Sequence, residues 1–98
     1  MQEYEAIFII KINNEEKIKA IKRKIDEMIT SEGAKITKRI DTGVKKLAYK
    51  INKETEGYYY LLVFKINYKE TRAEEKIATK LNTIDEVIKY IVIKREKI

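Results

Sequence analysis

The side chains that most often carry out chemistry in proteins are nearly absent from this sequence of 98 residues. It contains no His and no Cys, which excludes an imidazole acid–base catalyst, a thiolate nucleophile and the usual ligands of zinc. Ser31 is its only Ser, and it lies beside a predicted helix end, where a structural role is expected. The carboxylates are interspersed with lysines, as solvated surface charges are. We therefore expect no enzyme, cofactor, metal site or small-molecule substrate.

The charge of the sequence favours an anionic partner. Its net charge is +6, a value compatible with binding to nucleic acid. Biased codon usage would enrich Lys, Ile, Asn and Tyr equally well, so charge alone does not decide the question. No apolar run approaches the roughly 20 residues of a membrane span, and we expect no membrane partner. The N-terminal residues lack the basic region and cleavage site of a signal peptide, so a cytoplasmic location is expected.

The hydrophobic pattern predicts four strands and two helices in the order βαββαβ. The predicted strands cover four segments: 4–12, 35–51, 58–66 and 87–94. The first helix is predicted to begin at Asn13 as N-cap, with Glu16 completing a capping box, and to end before Gly33. Its apolar stripe has five members: Ile18, Ile21, Ile25, Met28 and Ile29. A second capping box, Thr71-Arg72-Ala73-Glu74, opens the shorter helix.

The second predicted strand has the features of a sheet edge. The segment 41–43 interrupts its alternation and predicts a bulge or bend. Beyond this point the apolar positions alternate with Lys46, Ala48 and Lys50, which are polar or small and typical of a protected edge. A polar turn over residues 52–57 then leads into the third strand, so the two strands form a hairpin.

This order of elements indicates a single α+β domain over residues 1–98 with the ferredoxin-like fold, a four-stranded antiparallel sheet with both helices on one face. Three strands are apolar on both parities, and the pattern does not fix which parity meets the helices. We assign five residues to the helix side: Phe8, Tyr59, Leu61, Tyr90 and Val92. This leaves seven residues on the open side as candidates for docking a partner protein: Ile7, Ile9, Tyr58, Tyr60, Leu62, Ile91 and Ile93. Either parity leaves an apolar open face, which usually marks a docking surface.

Four segments occur together in an order that resembles a known family. They are Tyr4-Glu5, Gly33-Ala34, the basic segment 45–51 around Leu-Ala-Tyr, and Gly57-Tyr58-Tyr59. Over essentially its whole length the chain resembles the family of ribosomal protein six of the bacterial small (30S) subunit. The resemblance implies a structural protein of the cytoplasmic ribosome. It also implies binding to small-subunit (16S) ribosomal RNA together with small-subunit ribosomal protein eighteen, during assembly of the central domain.

The resemblance further implies candidate RNA-binding residues. Four lysines match positions that are commonly basic in the family: Lys45, Lys46, Lys89 and Lys94. Edge protection or solubility is the alternative role of each of them. The sequence departs from the family at Gln2 and Glu3, where Arg is frequent, and at Lys50, where many members have Pro.

Two other functions suit the same fold. An RNA-recognition motif would place aromatic side chains on the third strand. Here Glu56 replaces a basic residue of that signature, Tyr59 a small one and Val63 an aromatic one. For Tyr49, Tyr58 and Tyr60, packing is favoured over base stacking. An acylphosphatase-like hydrolase would need an anion-binding loop with an arginine, which we do not find.

Overall fold

The computed structural model describes residues 2–51, 53–66 and 73–95. Six elements follow one another: β1 (Gln2–Ile10), α1 (Glu15–Ser31), β2 (Lys35–Ile51), β3 (Glu54–Ile66), α2 (Ala73–Leu81) and β4 (Val87–Arg95). The strands form one antiparallel sheet in the order β2-β3-β1-β4. The predicted ferredoxin-like fold is confirmed, with β1 and β3 inside the sheet and β2 at one edge. No helix in the described part of the chain is long and apolar enough to cross a membrane.

Helix α1 begins one residue later than predicted. Asn14, and not Asn13, is the N-cap, and its Oδ1 accepts a hydrogen bond of 2.8 Å from the Lys17 backbone N–H. Glu16 therefore occupies the second position of the helix, where it still favours the positive helix end but forms no capping box. All five members of the predicted apolar stripe are buried. Gly33 has a φ of +83°, as expected of a left-handed residue after a helix.

Helix α2 packs its apolar side on the same face of the sheet. Ile77 and Leu81 are almost fully buried there. Of the capping box predicted at the start of this helix, Thr71 and Arg72 lie outside the described residues.

Strand pairing fixes which side chains share a face. Directly paired residues of an antiparallel sheet point to the same side. Ile7 pairs with Leu61 and Ile91, and Phe8 pairs with Tyr60 and Tyr90. Since Phe8 is fully buried beneath the helices, its partners share the helix side. The strand core under the helices has eight members: Tyr4, Ala6, Phe8, Ile10, Tyr60, Leu62, Phe64 and Ile66.

The prediction for β3 was therefore wrong, because it assigned the two alternating sets of side chains to the opposite faces of the sheet. Tyr58, Tyr60 and Leu62 face the helices, whereas Tyr59 and Leu61 face the open side. Because β3 is apolar on both parities, alternation carried no information about which set is inside. The predicted placements on β1 and β4 are correct. Four residues lie on the open side as predicted, Ile7, Ile9, Ile91 and Ile93, and three face the helices, Phe8, Tyr90 and Val92.

Candidate docking face and nucleic-acid interface

The sheet face turned away from the helices, here called the open face, is largely apolar. Its central and β4 positions carry seven large side chains: Ile7, Ile9, Tyr59, Leu61, Val63, Ile91 and Ile93. Their exposure varies across the sheet. Ile91 and Ile93 at the β4 edge are 43% and 50% exposed, whereas Ile9 in the middle is 7% exposed. Since the helices lie on the other side, another part of the chain must cover the middle.

That covering part is the end of the β2–β3 hairpin, described over residues 46–51 and 53–56 and here called the hairpin arm. Regular pairing of β2 with β3 is interrupted between Lys46 and Ile51, so the arm does not continue the flat sheet. It contributes Leu47, Tyr49 and Ile51 to the wall of a shallow cavity of about 210 Å³. The opposite wall is formed by open-face residues: Ile7, Ile9, Tyr59 and Ile91. The arm therefore folds over the centre of the open face.

One contact ties the arm to the far edge of the sheet. The Lys89 ammonium of β4 donates a hydrogen bond of 2.9 Å to the Tyr49 hydroxyl, and its Nζ lies 5.4 Å from the centroid of the Tyr49 ring. Three strand spacings, about 14 Å, separate β2 from β4 in the sheet. Tyr49 can reach Lys89 only because the arm bends across β3 and β1. The hydrogen bond and the charge of Lys89 lower the pKa of Tyr49.

The four candidate RNA-binding lysines do not form one cluster. Lys45 pairs with Gly57 and lies on the open face, with its Nζ 5.8 Å from the centroid of the Tyr59 ring. Lys89 also lies on the open face, but at the opposite edge. Lys46 and Lys94 have the other parity of their strands and point to the helix side. Two of the four lysines thus lie on the open face and two on the helix side. On each face the two lysines stand at opposite edges of the sheet.

A polar cluster between α1, β2 and β3 was not predicted from the sequence. Asp41 accepts hydrogen bonds from the Lys22 ammonium at 2.7 Å and from the Tyr58 hydroxyl at 2.8 Å. Asp26 accepts hydrogen bonds from Arg39 at 2.9 Å and from the Tyr60 hydroxyl at 2.8 Å. In this cluster the basic groups of α1 and β2 meet carboxylates within the protein. Its signal in the sequence was the aspartate in the predicted bulge of β2.

The pKa values in this cluster reflect burial and pairing. Burial opposes ionisation of Asp41, but hydrogen bonds from Lys22 and Tyr58 outweigh it and lower its pKa. Burial, followed by the hydrogen bond to the Asp26 carboxylate, raises the pKa of Tyr60. Tyr60 is 2% exposed and its hydroxyl donates to Asp26, so its role is structural.

The orientation of the tyrosines argues against an RNA-recognition motif. In that motif aromatic side chains of the third strand stack bases on the open face. Tyr58 and Tyr60 face the helices instead, where their hydroxyl groups bind Asp41 and Asp26. Tyr59 lies on the open face, but the arm and Lys45 are its neighbours there. These strands therefore offer no platform of several exposed rings.

Comparison with known proteins identifies the family. The profile described as "Ribosomal protein S6" matches residues 3–94. Small ribosomal subunit protein bS6 of Fusobacterium nucleatum is 36% identical over 97 residues, covering 98% of this chain and 100% of that protein. The bS6 protein of Desulforamulus reducens is 34% identical over 95 residues, covering 96% and 97% of the two chains.

A solved structure agrees with these relatives in fold. The crystal structure of 30S ribosomal protein S6 from Thermotoga maritima superposes with a TM-score of 0.86 at 26% identity, covering 96% of this chain and 87% of that one. The chain therefore belongs to the ribosomal protein S6 family, whose members are structural, non-enzymatic proteins of the small subunit of the cytoplasmic ribosome.

Proposed function

We propose that this ribosomal protein, as a single domain of residues 1–98, binds small-subunit (16S) ribosomal RNA together with small-subunit ribosomal protein eighteen during assembly of the central domain. The observation that carries the proposal is the apolar open face. Two helices and the hairpin arm leave Ile91 and Ile93 about half exposed at the β4 edge. Water contact with such side chains is unfavourable, and burial against a protein partner removes it.

The partner would sit on the open face at its β4 side. Ile91 and Ile93 are adjacent to Ile7 of β1, which pairs with Ile91. Tyr59 and Leu61 of β3 continue this apolar surface and replace Tyr58, Tyr60 and Leu62 of the sequence-based proposal. Ile9 stays in the proposed surface but is reached only from beneath the arm. The exposed part of this surface is thus an apolar strip along β4 and β1, here called the β4 strip.

The lysines would bind phosphate from two sides of this protein pair. Lys46 and Lys94 are exposed and point to the helix side, away from the β4 strip. Lys45 and Lys89 lie at the rims of the open face, where a docked protein and RNA could meet. Lysine binds phosphate as a point charge, so its contribution is to affinity and not to sequence preference.

Replacing Ile91 and Ile93 together by Ser is expected to weaken association with purified ribosomal protein eighteen by about tenfold or more, since buried apolar anchors dominate interfaces. The free energy of unfolding should change far less, because both side chains are half exposed in the free protein. Isothermal titration calorimetry and urea denaturation measure the two effects. Val44→Ser is the matched control, because Val44 is 54% exposed but has the helix-side parity of β2. An equal loss in the control, or none in the double variant, would contradict docking at the β4 strip.

Replacing Lys45 and Lys46 by Ala is expected to flatten the salt dependence of RNA binding by the protein pair. Removing one phosphate contact lowers the slope of log affinity against log salt by roughly 0.7–0.9. Filter binding at several salt concentrations measures the slope. The control replaces Lys19 and Lys76, which are exposed on the helices, and removes the same total charge. An unchanged slope in the Lys45/Lys46 variant would exclude these two residues from the RNA interface.

A further inference from the structure

The hairpin arm occupies part of the surface that the proposed partner needs. Its apolar residues Leu47, Tyr49 and Ile51 line one shallow cavity together with the central residues Ile9 and Tyr59 of the open face. A partner that reaches beyond the β4 strip toward the middle of the sheet would compete with the arm for this surface. The arm is thus an occupant of the docking face supplied by the chain itself.

The polar contacts that hold the arm, between Tyr49 and Lys89 and between Glu54 and Lys11, lie at the protein surface. Strand pairing within it is interrupted between Lys46 and Ile51, and Tyr49 remains 64% exposed although it crosses the sheet. Segments with exposed hydrogen bonds and little buried apolar area open at low free-energy cost. The bond between Tyr49 and Lys89 is the contact that fastens the arm to β4. Removing this one hydrogen bond would therefore change how often the arm is open.

The same hydrogen bond engages a candidate phosphate ligand. The Lys89 ammonium faces the Tyr49 ring and donates to its hydroxyl. A phosphate at Lys89 would compete with this hydrogen bond and with the favourable charge–ring interaction. While the arm is closed, Lys89 is therefore less available to RNA than an exposed lysine with no partner.

We propose that the hairpin arm is a lid over the docking face, latched by Tyr49 and Lys89 in the free protein. A protein partner that docks on the apolar face displaces the arm and releases Lys89 to bind phosphate. Protein docking and RNA binding are coupled by this step, and coupling free energies are reciprocal, so RNA that takes Lys89 also favours docking. The identity of the partner rests on the proposed function, whereas the latched lid is a property of the free chain.

The test of the latch is Tyr49→Phe, which keeps the ring and removes the hydroxyl. Amide hydrogen exchange at residues 47–51 of the free protein should become roughly two- to fivefold faster, the effect of one modest hydrogen bond. Affinity for ribosomal protein eighteen should rise by the same factor, because the open fraction limits the apparent affinity. Tyr90→Phe is the control, since the Tyr90 hydroxyl contacts Ala78 and Asn82 on the helix side. It should change neither quantity.

The outcomes separate the lid from the proposed function. Unchanged exchange at 47–51, or faster exchange with equal or weaker affinity, would overturn the lid. If the wild-type protein does not bind ribosomal protein eighteen, the proposed partner is wrong, and the exchange experiment alone then decides whether Tyr49 latches the arm. Lys89→Gln tests the coupling to RNA: it should reduce the salt slope only when the partner protein is present. A reduction without the partner, or none with it, would contradict the coupling.

Discussion

Replacing Tyr60 by Ala is expected to lower the free energy of unfolding by about 3–5 kcal/mol, the range for large aromatic residues removed from a core. Tyr60 is 2% exposed, and its ring centroid lies 6.4 Å from that of Phe8 beneath the helices. Its hydroxyl donates to Asp26, so the substitution leaves a cavity and also removes a partner of a partly buried carboxylate. Urea denaturation followed by circular dichroism measures the change.

Two further variants test why Tyr60 matters. Tyr60→Phe removes only the hydroxyl and should cost about 1 kcal/mol, the net value of a typical hydrogen bond. Tyr59→Ala, one residue away on the open face, should cost clearly less than Tyr60→Ala because Tyr59 is only partly buried. Equal losses at the two positions would mean that the face assignment of β3 is wrong.

The features of this fold that are determined by residues close together in the sequence could be predicted. The apolar stripe of α1 and the left-handed Gly33 are determined within a turn or two of helix, and both are confirmed. The bulge of β2 at residues 41–43 is equally local, because Gly43 adopts a φ of +81° there and the strand register shifts. In each case the sequence contains both the cause and its position.

The parity of β3 could not be predicted in this way. Its central run carries apolar or aromatic side chains on both faces, so neither face had a stronger preference for burial beneath the helices. The structure resolves the ambiguity through contacts distant in sequence. The Tyr60 hydroxyl meets Asp26 of α1, and the Tyr58 hydroxyl meets Asp41 of β2. The predicted turn over residues 52–57 was also too long, since β3 begins at Glu54, and turn length sets hairpin register.

The bend of the hairpin arm was missed for a related reason. The segment from Lys46 to Ile51 contains no Gly or Pro, the usual sequence signals of a break in a strand. The alternating apolar residues Leu47, Tyr49 and Ile51 were available as a signal, since an exposed strand extension has no reason to carry them. In the structure these residues cover the middle of the open face. The expected excess of apolar surface is therefore smaller than the strands alone suggested, and it is concentrated at Ile91 and Ile93.

Replacing Gly57 by Ala is expected to destabilise the fold by about 1–3 kcal/mol, the usual cost of overpacking a filled site. A Cβ at Gly57 would overlap Cγ2 of Ile9 on the neighbouring strand. Ile9 cannot easily move away, since it is branched at Cβ, 7% exposed and covered by the arm. Where a strand has room for a Cβ, Gly→Ala stabilises the fold by about 0.4–1 kcal/mol, because it reduces the conformational entropy of the unfolded chain. The contact with Ile9 therefore determines whether the substitution stabilises or destabilises. Thermal and urea unfolding measure it.

The test of this explanation is a double-mutant cycle with Ile9. Ile9→Ala removes Cγ2, and in this background the cost of Gly57→Ala should fall to about zero or become a small gain. Ile9→Val keeps Cγ2 and should leave the cost of Gly57→Ala in place. Additive losses in the Ile9→Ala background would show that the overlap is not the cause. Non-additive losses in the cycle would mean that Gly57, by lacking a side chain, makes room on β3 for Ile9 and for the arm residue Leu47. The closed position of the arm would then depend on the missing side chain at Gly57 as well as on the latch at Tyr49.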